Sequence, residues 1–561
     1  MRAMKMKKTA LKMSLLLAPM AAMLLAVTTH AATPGITAPI FFLTAQTAFL
    51  NQPDGTGVYA WGYGCSNGFV PATLPAHMKN ANCPSMQVPG PTLIVTEGQI
   101  VTVTLTNNLP TSAGNTSILF PGFQVCVGNV SLAGVCTAIT NNGVAGLLTQ
   151  EAAPGAAVTY SFIASSAGTR AYYSGTQGDL QVEMGLYGAI IVLPANVPGI
   201  CTSNVVTSFY EQPTAAPGGA VEHDFRLAKS AYDHAKTCYD REYLFQFSEM
   251  DVNIHRQALA QVTATNGCTS GMPGCSLEVP TEPYHPSYFL INGRSMPDDM
   301  DANYGAEYPH QPYNGNPHMH PGEQVLLRVI GQGRWQHPFH EHGNHVRILG
   351  RDGNLILSQS DPNSLAGSVL FTTTTTPGLA FDGIFYWTGR GLNWDAYGHH
   401  GPLPAPSASN PNGVTATVTV NDELPCVPDA NGYYTKASGA PYTAINYYEW
   451  CQDHNKPLQA APFGDVANGG PATLPDPNIF TNGAWYGGSP YLGPDANIRA
   501  TGPNSGLQPS NVQANPPNER GFAFMWHSHN EREITTNNVF PGGMLMMMLV
   551  DSREFVIDES N

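Results

Sequence analysis

The distribution of apolar and polar positions along the chain is one of short runs with period two, bounded by turn residues. Ile100–Leu105 reads Ile-Val-Thr-Val-Thr-Leu, and alternating β-branched residues of this kind mark a half-buried strand. Residues 88–95 form a similar run, and Gly98-Gln99 between the two predicts a hairpin-like unit. Further strand signals fall at 157–162, 188–193, 241–247, 288–293, 323–330, 367–388, 415–420, 521–526 and 544–550. The expected fold is therefore all-β, with tandem β-sandwiches joined by long loops. The first sandwich is placed at 35–195 and the second at 205–561, after a linker rich in Pro and Gly. Residues 421–520 are Pro-, Gly- and Asn-rich and read as an insertion in the last domain, pinned by Cys426 and Cys451.

Composition strengthens this picture. Gly 57 and Pro 47 approach a fifth of the 561 residues, a load that would disrupt helices but suits short strands and turns. The 24 Tyr, 22 Phe and 7 Trp argue against disorder. A net charge of −16 disfavours nucleic acid and anionic membranes, which need Lys/Arg-rich faces.

The N-terminus reads as an export signal over residues 1–31. Arg2, Lys5, Lys7, Lys8 and Lys12 precede an apolar stretch from Met13 to Val27, and Thr29-His30-Ala31 offers a cleavage site. A membrane anchor is the competing reading, but needs about 20 apolar residues. The expectation is a periplasmic or secreted protein with no membrane anchor after cleavage. The ten cysteines suit that destination and fall in sequence-near pairs: Cys65 with Cys83, Cys126 with Cys136, Cys201 with Cys238, Cys268 with Cys275, Cys426 with Cys451. No pair has Cys-x-x-Cys spacing, which favours local disulfides over a thiolate metal site.

The chemistry concentrates in histidines. His337, His340, His342 and His345 fall within nine residues, and residues two apart on a strand share a face, so His340 and His342 can address one site. His527-Ser528-His529 repeats the spacing near the other end of the chain. Two such pairs facing each other make a four-imidazole site suited to copper or zinc; a structural role is the alternative for any single histidine. His318 and His320 either approach the same region or face solvent, and adjacent His399 and His400 are read as structural. Glu531, Glu533, Asn537 and Asn538 are candidate outer-shell acceptors or solvated loop residues. Met546, Met547 and Met548 are read as core, whereas Met544, after Gly542-Gly543, is placed to offer a thioether.

These motifs resemble the multicopper oxidase family, built from cupredoxin β-sandwiches. His337, His340, His342 and Gly343 match its His-Pro-x-His-x-His-Gly pattern, and His527-Ser528-His529 through Gly543-Met544 is similar to its closing His-Cys-His and Gly-Met motif. The strand patterns at 88–105 and 185–192 add to the likeness. The resemblance implies tandem cupredoxin-like Greek-key sandwiches and copper as cofactor. It also implies a blue-copper position for His337, a type 2 position for His340, and type 3 positions for His342, His527 and His529. The departures are patterned. Ser528 stands where the family has its blue-copper cysteine, and Glu533 where it has the next histidine. In the first domain, Leu119-Phe120-Pro121 and Tyr173 with Gly175 stand in the slots of two His-x-His pairs.

Three functions follow as expectations. The first is an exported oxidoreductase with a reduced copper site at His340, His342, His527 and His529. It would take electrons from a small-molecule or metal-ion reductant, with Asp179, Glu183, Glu341 and Glu531 either supplying oxygen ligands or only accounting for local acidity, and Tyr172 or Tyr173 as redox side chains. The second is a copper-binding or copper-handling protein without turnover. The third is a structural metal clamp with a closed shell.

Overall fold

The computed structural model describes residues 33–66, 83–202, 224–319, 323–387 and 521–550, with the short pieces 426–428, 434–436 and 488–491 and residues 557 and 559. The expected signal, the strand at 415–420, most of the 421–520 insertion, the Cys426–Cys451 pair, His320, His399 and His400 lie outside the described residues.

The described chain is built from β-sheets. Residues 36–193 form two of them. One has four strands in the order Ile36–Thr37, Gly90–Thr96, Tyr187–Leu193, Gly168–Tyr173. The other has six, in the order Gly57–Cys65, Ile40–Asn51, Ile100–Asn107, Ala157–Ile163, Cys126–Val130, Cys136–Ala138. Alternate residues of both enter one core, with Leu93 and Val95 from one sheet and Val101, Val103, Leu105 and Phe162 from the other. The expected hairpin does not form: Gly90–Thr96 and Ile100–Asn107 belong to different sheets. The turn at Gly98, φ +81°, carries the chain across the sandwich. Both strands are apolar enough to need a covered face, and opposing each other across the core gives each one.

The second pair of sheets uses strands from 241 onward. One contains Tyr288–Ile291, Arg241–Met250, Gln324–Gly331, Ala380–Tyr386 and Val346–Arg351 in that order, and the other His318–Met319, Leu545–Val550, Gly521–Ser528, His337–Glu341 and Thr372–Thr375. Phe245, Phe247, Val325, Leu327, Phe339, Phe385 and Trp526 fill the space between, with Met544, Met546 and Met548 among them. All three methionines are buried core residues. One element was not legible as such: the helix Val252–Ala264, capped by Asp251, whose side chain accepts from the Asn253 N–H.

The two halves are tied by buried charge. Arg328 pairs with Glu242 at 2.9 Å and with Asp382 at 3.5 Å, and Asp382 accepts from the Thr169 hydroxyl at 2.6 Å. Four of the expected disulfides form: Cys65–Cys83, Cys126–Cys136, Cys201–Cys238 and Cys268–Cys275.

Candidate metal centre

The two histidine motifs lie on adjacent antiparallel strands. Phe339 pairs with Ser528, His340 with His527, and Glu341 with Trp526. Because side chains alternate, His340 and His527 leave one face of the sheet while Phe339, Glu341, Ser528 and Trp526 leave the other, so one register sets two neighbouring clusters.

On the first face four imidazoles meet. Ring centroids are 4.7 Å apart for His340–His342, 4.9 Å for His340–His529, 5.2 Å for His342–His527, 5.4 Å for His527–His529 and 5.6 Å for His340–His527. Hydrogen bonds hold the backbone of the outer pair in place: His529 N donates to Pro338 O at 2.8 Å, and the Trp526 indole donates to His342 O at 3.0 Å. The turn after His342 needs glycine, since Gly343 has φ +104° and a Cβ there would lie 2.9 Å from the Phe524 ring. His340 and His527 are buried, His342 half-buried and His529 exposed, so the pocket opens to solvent at His529.

The nitrogens are partly oriented. His340 Nδ1 bonds the Thr372 hydroxyl at 2.6 Å and His527 Nδ1 bonds Ser528 O at 2.7 Å, while His527 Nε2 meets His342 Nε2 at 3.2 Å. Outward-bonded Nδ1 atoms with inward Nε2 atoms are how ligating imidazoles are ordinarily fixed. Burial, then the neighbouring imidazoles, lowers His340 to about 3; burial also lowers His527. Both rings therefore stay neutral near pH 7, the form that binds a metal. Among the described residues no group of three or more His, Cys, Asp or Glu side chains is already arranged to hold a metal ion. The donor chemistry, four clustered imidazoles, fits copper.

On the opposite face His337 is not with the other four. It is fully buried, with Nδ1 2.8 Å from Glu533 Oε2 and Nε2 2.9 Å from Glu249 Oε2. Ser528 Oγ also donates to Glu533 Oε2, and Asn530 Nδ2 donates to Glu533 Oε1 at 2.9 Å. Glu249 Oε1 accepts from the Arg334 and Trp335 N–H groups at 2.6 and 2.8 Å. Met544 closes the cluster through backbone bonds, its O accepting from Ser528 N and its N donating to Glu533 O. Burial alone would lower His337, but hydrogen bonds and charge from Glu249 and Glu533 outweigh it and lift the group to about 9. His337 is thus an imidazolium between two carboxylates, with both ring nitrogens engaged. Glu249 was not legible in sequence, because an acidic residue in a wholly buried strand leaves no spacing signal.

The other candidates disperse. His318 pairs with Leu549, two strands across from His527 and four positions, about 13 Å, further along the strand direction than its Leu545 row. His345 is buried against Phe371 and lowered to about 4 by burial. Glu183 accepts from Tyr284 and Asp251 N, and Asp179 from Thr281. Asn537 and Asn538 form a left-handed turn, at φ 49° and 65°. Glu531 is exposed, 3.9 Å from His529. Tyr172 is a core residue beside Tyr63 and Phe120, donating to Pro91 O at 2.7 Å. The two first-domain segments that resemble ligand slots do meet, but as packing: Leu119 bridges Tyr173, and a Cβ on Gly175 would lie 2.7 Å from Leu119 Cγ.

Glu341 lies between the ligand candidates but points into the core. It is fully buried, accepts from Thr373 Oγ1 at 2.7 Å, and burial lifts its carboxyl to about 8. Its folded value is raised from the unfolded 4.5, so its contribution to stability is full below about 4.5 and lost as pH rises through about 8. Glu341→Gln keeps the shape and removes the titration. Denaturation midpoints of the variant are expected to fall less between pH 5 and 8 than those of the parent; parallel curves would assign the alkaline loss to other groups.

Residues 73–197 match the multicopper oxidase family, so this stretch is a domain of that family. No curated protein matches the chain. Among solved structures, a blue copper oxidase from Nitrosomonas europaea aligns at 14% identity and TM-score 0.41, covering 91% of this chain and 85% of its own. A copper nitrite reductase from the same organism aligns at 18% identity and TM-score 0.34, covering 62% of this chain and 84% of its own. The multicopper oxidase mgLAC aligns at 20% and 0.36, covering 62% and 74%.

Proposed function

We propose that this chain, which carries a multicopper oxidase domain over residues 73–197, is an exported copper-binding oxidoreductase with a reduced copper site. The observation that supports it is the meeting of His340, His342, His527 and His529 at centroid distances of 4.7 to 5.6 Å. Bound copper would supply one-electron exchange with an oxidant or reductant. The chain's part is to hold the neutral rings of His340 and His527 through Thr372 and the Ser528 carbonyl, and to leave the His529 side open to a small reductant. Electrons would arrive directly at that open side, since Ser528 lacks the soft thiolate of a relay centre.

A second reading, copper holding without turnover, is favoured by the His337 cluster, where an imidazolium and two carboxylates fill the place of an electron-entry centre. Metal analysis and oxygen uptake separate the two. His340→Ala and His529→Ala are each expected to lower bound copper at least tenfold at limiting metal; unchanged copper in both would end both readings. Copper-dependent oxygen uptake with phenolic or metal-ion donors, lost in His529→Ala, selects the oxidoreductase. Bound copper with no uptake selects the holder.

A further inference from the structure

Between Glu97 and Glu151 the chain has no Asp, Glu, Lys, Arg or His, in a protein whose net charge is −16. Part of this run is the hairpin of Cys126–Val130 and Cys136–Ala138, stapled by the Cys126–Cys136 disulfide. Cys136–Ala138 is the last strand of the six-stranded sheet, and all three of its residues are exposed. The hairpin and the loop after it hold Leu132, Val135, Ile139, Val144, Leu147 and Leu148 in solvent, Leu132 at 77% and Leu147 at 93% exposure.

Open sheet edges are ordinarily guarded by Lys, Pro, a bulge or a covering element. The edge strand Cys136-Thr137-Ala138 has neither charge nor proline, and exposed apolar side chains flank it, which marks a contact surface. The occupant is identified by charge. Two bodies of −16 repel, and among the described residues the uncharged run offers a face on which they can approach without like-charge contacts. A two-fold axis lets the same edge strand satisfy itself, N–H to C=O in both directions. The disulfide holds the hairpin in shape, so little ordering is needed on contact. A bilayer fits less well, because the run contains no Lys, Arg, Trp or Tyr to seat at the headgroups.

We propose that this hairpin is a self-association surface, on which a second copy of the chain pairs Cys136–Ala138 edge to edge and buries Leu132, Val135 and Leu147. The test is sedimentation velocity of the full chain over about 1–100 µM, where a Kd near 10 µM would be visible. The expected result is a dimer fraction that grows with concentration. The Kd should also fall as salt rises from about 0.1 M to about 1 M and the Debye length shrinks from about 10 Å to about 3 Å. Val135→Lys with Leu147→Lys changes two exposed positions, leaves the circular dichroism and melting intact, and is expected to raise the Kd at least tenfold. A monomer at every concentration and salt overturns the proposal, as does a dimer whose Kd the double variant leaves unchanged. Flotation of a monomeric protein with zwitterionic phosphatidylcholine vesicles, abolished by the double variant, also overturns it and assigns the hairpin to lipid.

Discussion

Ser528→Cys combined with Glu533→His is expected to turn the copper-loaded protein blue, with an intense absorption at about 600 nm that the parent lacks. The register already assembles the parts. Ser528 and Glu533 are in contact through their side chains, Glu533 reaches His337 Nδ1 at 2.8 Å, and Met544 is bonded to both Ser528 and Glu533 through its backbone. The two substitutions would supply the thiolate and second imidazole of a His₂Cys site with a methionine nearby. Glu249, 2.9 Å from His337 Nε2, would then serve as the outer acceptor that fixes the ring. Either substitution alone is expected to remain colourless or weakly coloured: a thiolate facing Glu533 lacks its partner, and a histidine beside Ser528 lacks the sulfur. Absorption and electron paramagnetic resonance after copper addition provide the check. A blue parent would remove the reading of Ser528 altogether.

His337→Leu is expected to cost about 3–5 kcal/mol of stability, as a lower urea midpoint with an unchanged slope. The substitution removes the cation from between Glu249 and Glu533, both buried, and leaves their carboxylates facing each other across an apolar gap. Adding Glu249→Gln and Glu533→Gln to His337→Leu should recover much of the loss, because the cost lies in stranded charge more than in lost attraction. The sign of the pH dependence follows from the raised imidazole. His337 is lifted from 6.5 to about 9, so its contribution is complete below about 6.5 and disappears as pH rises through about 9. At pH 10 the parent and His337→Leu should therefore differ less than at pH 6. An equal gap at both values would mean that His337 acts by shape alone.

Much of this was legible from one dimension. Period-two alternation determined that the chain is a β protein, because a strand buried on one face must place its apolar residues at every second position. The near-neighbour cysteines paired as expected in all four described cases, since a staple across a short loop needs little chain geometry. The His-x-His spacing placed His340 with His342 and His527 with His529, and their identity alone excluded a thiolate centre at Ser528. Other matters were decided only in three dimensions. Residues 88–105 carry the alternation of a hairpin, but both strands needed a covered face, so the fold set them in opposite sheets. His337 and His340 belong to one motif, yet odd spacing on a strand sends them to opposite faces, one toward imidazoles and the other between Glu249 and Glu533. Glu249 comes from a strand 88 residues away in sequence, and no local pattern announces a long-range partner. Spacing along a strand thus chose which histidines can share a face, while tertiary packing chose what each face would meet.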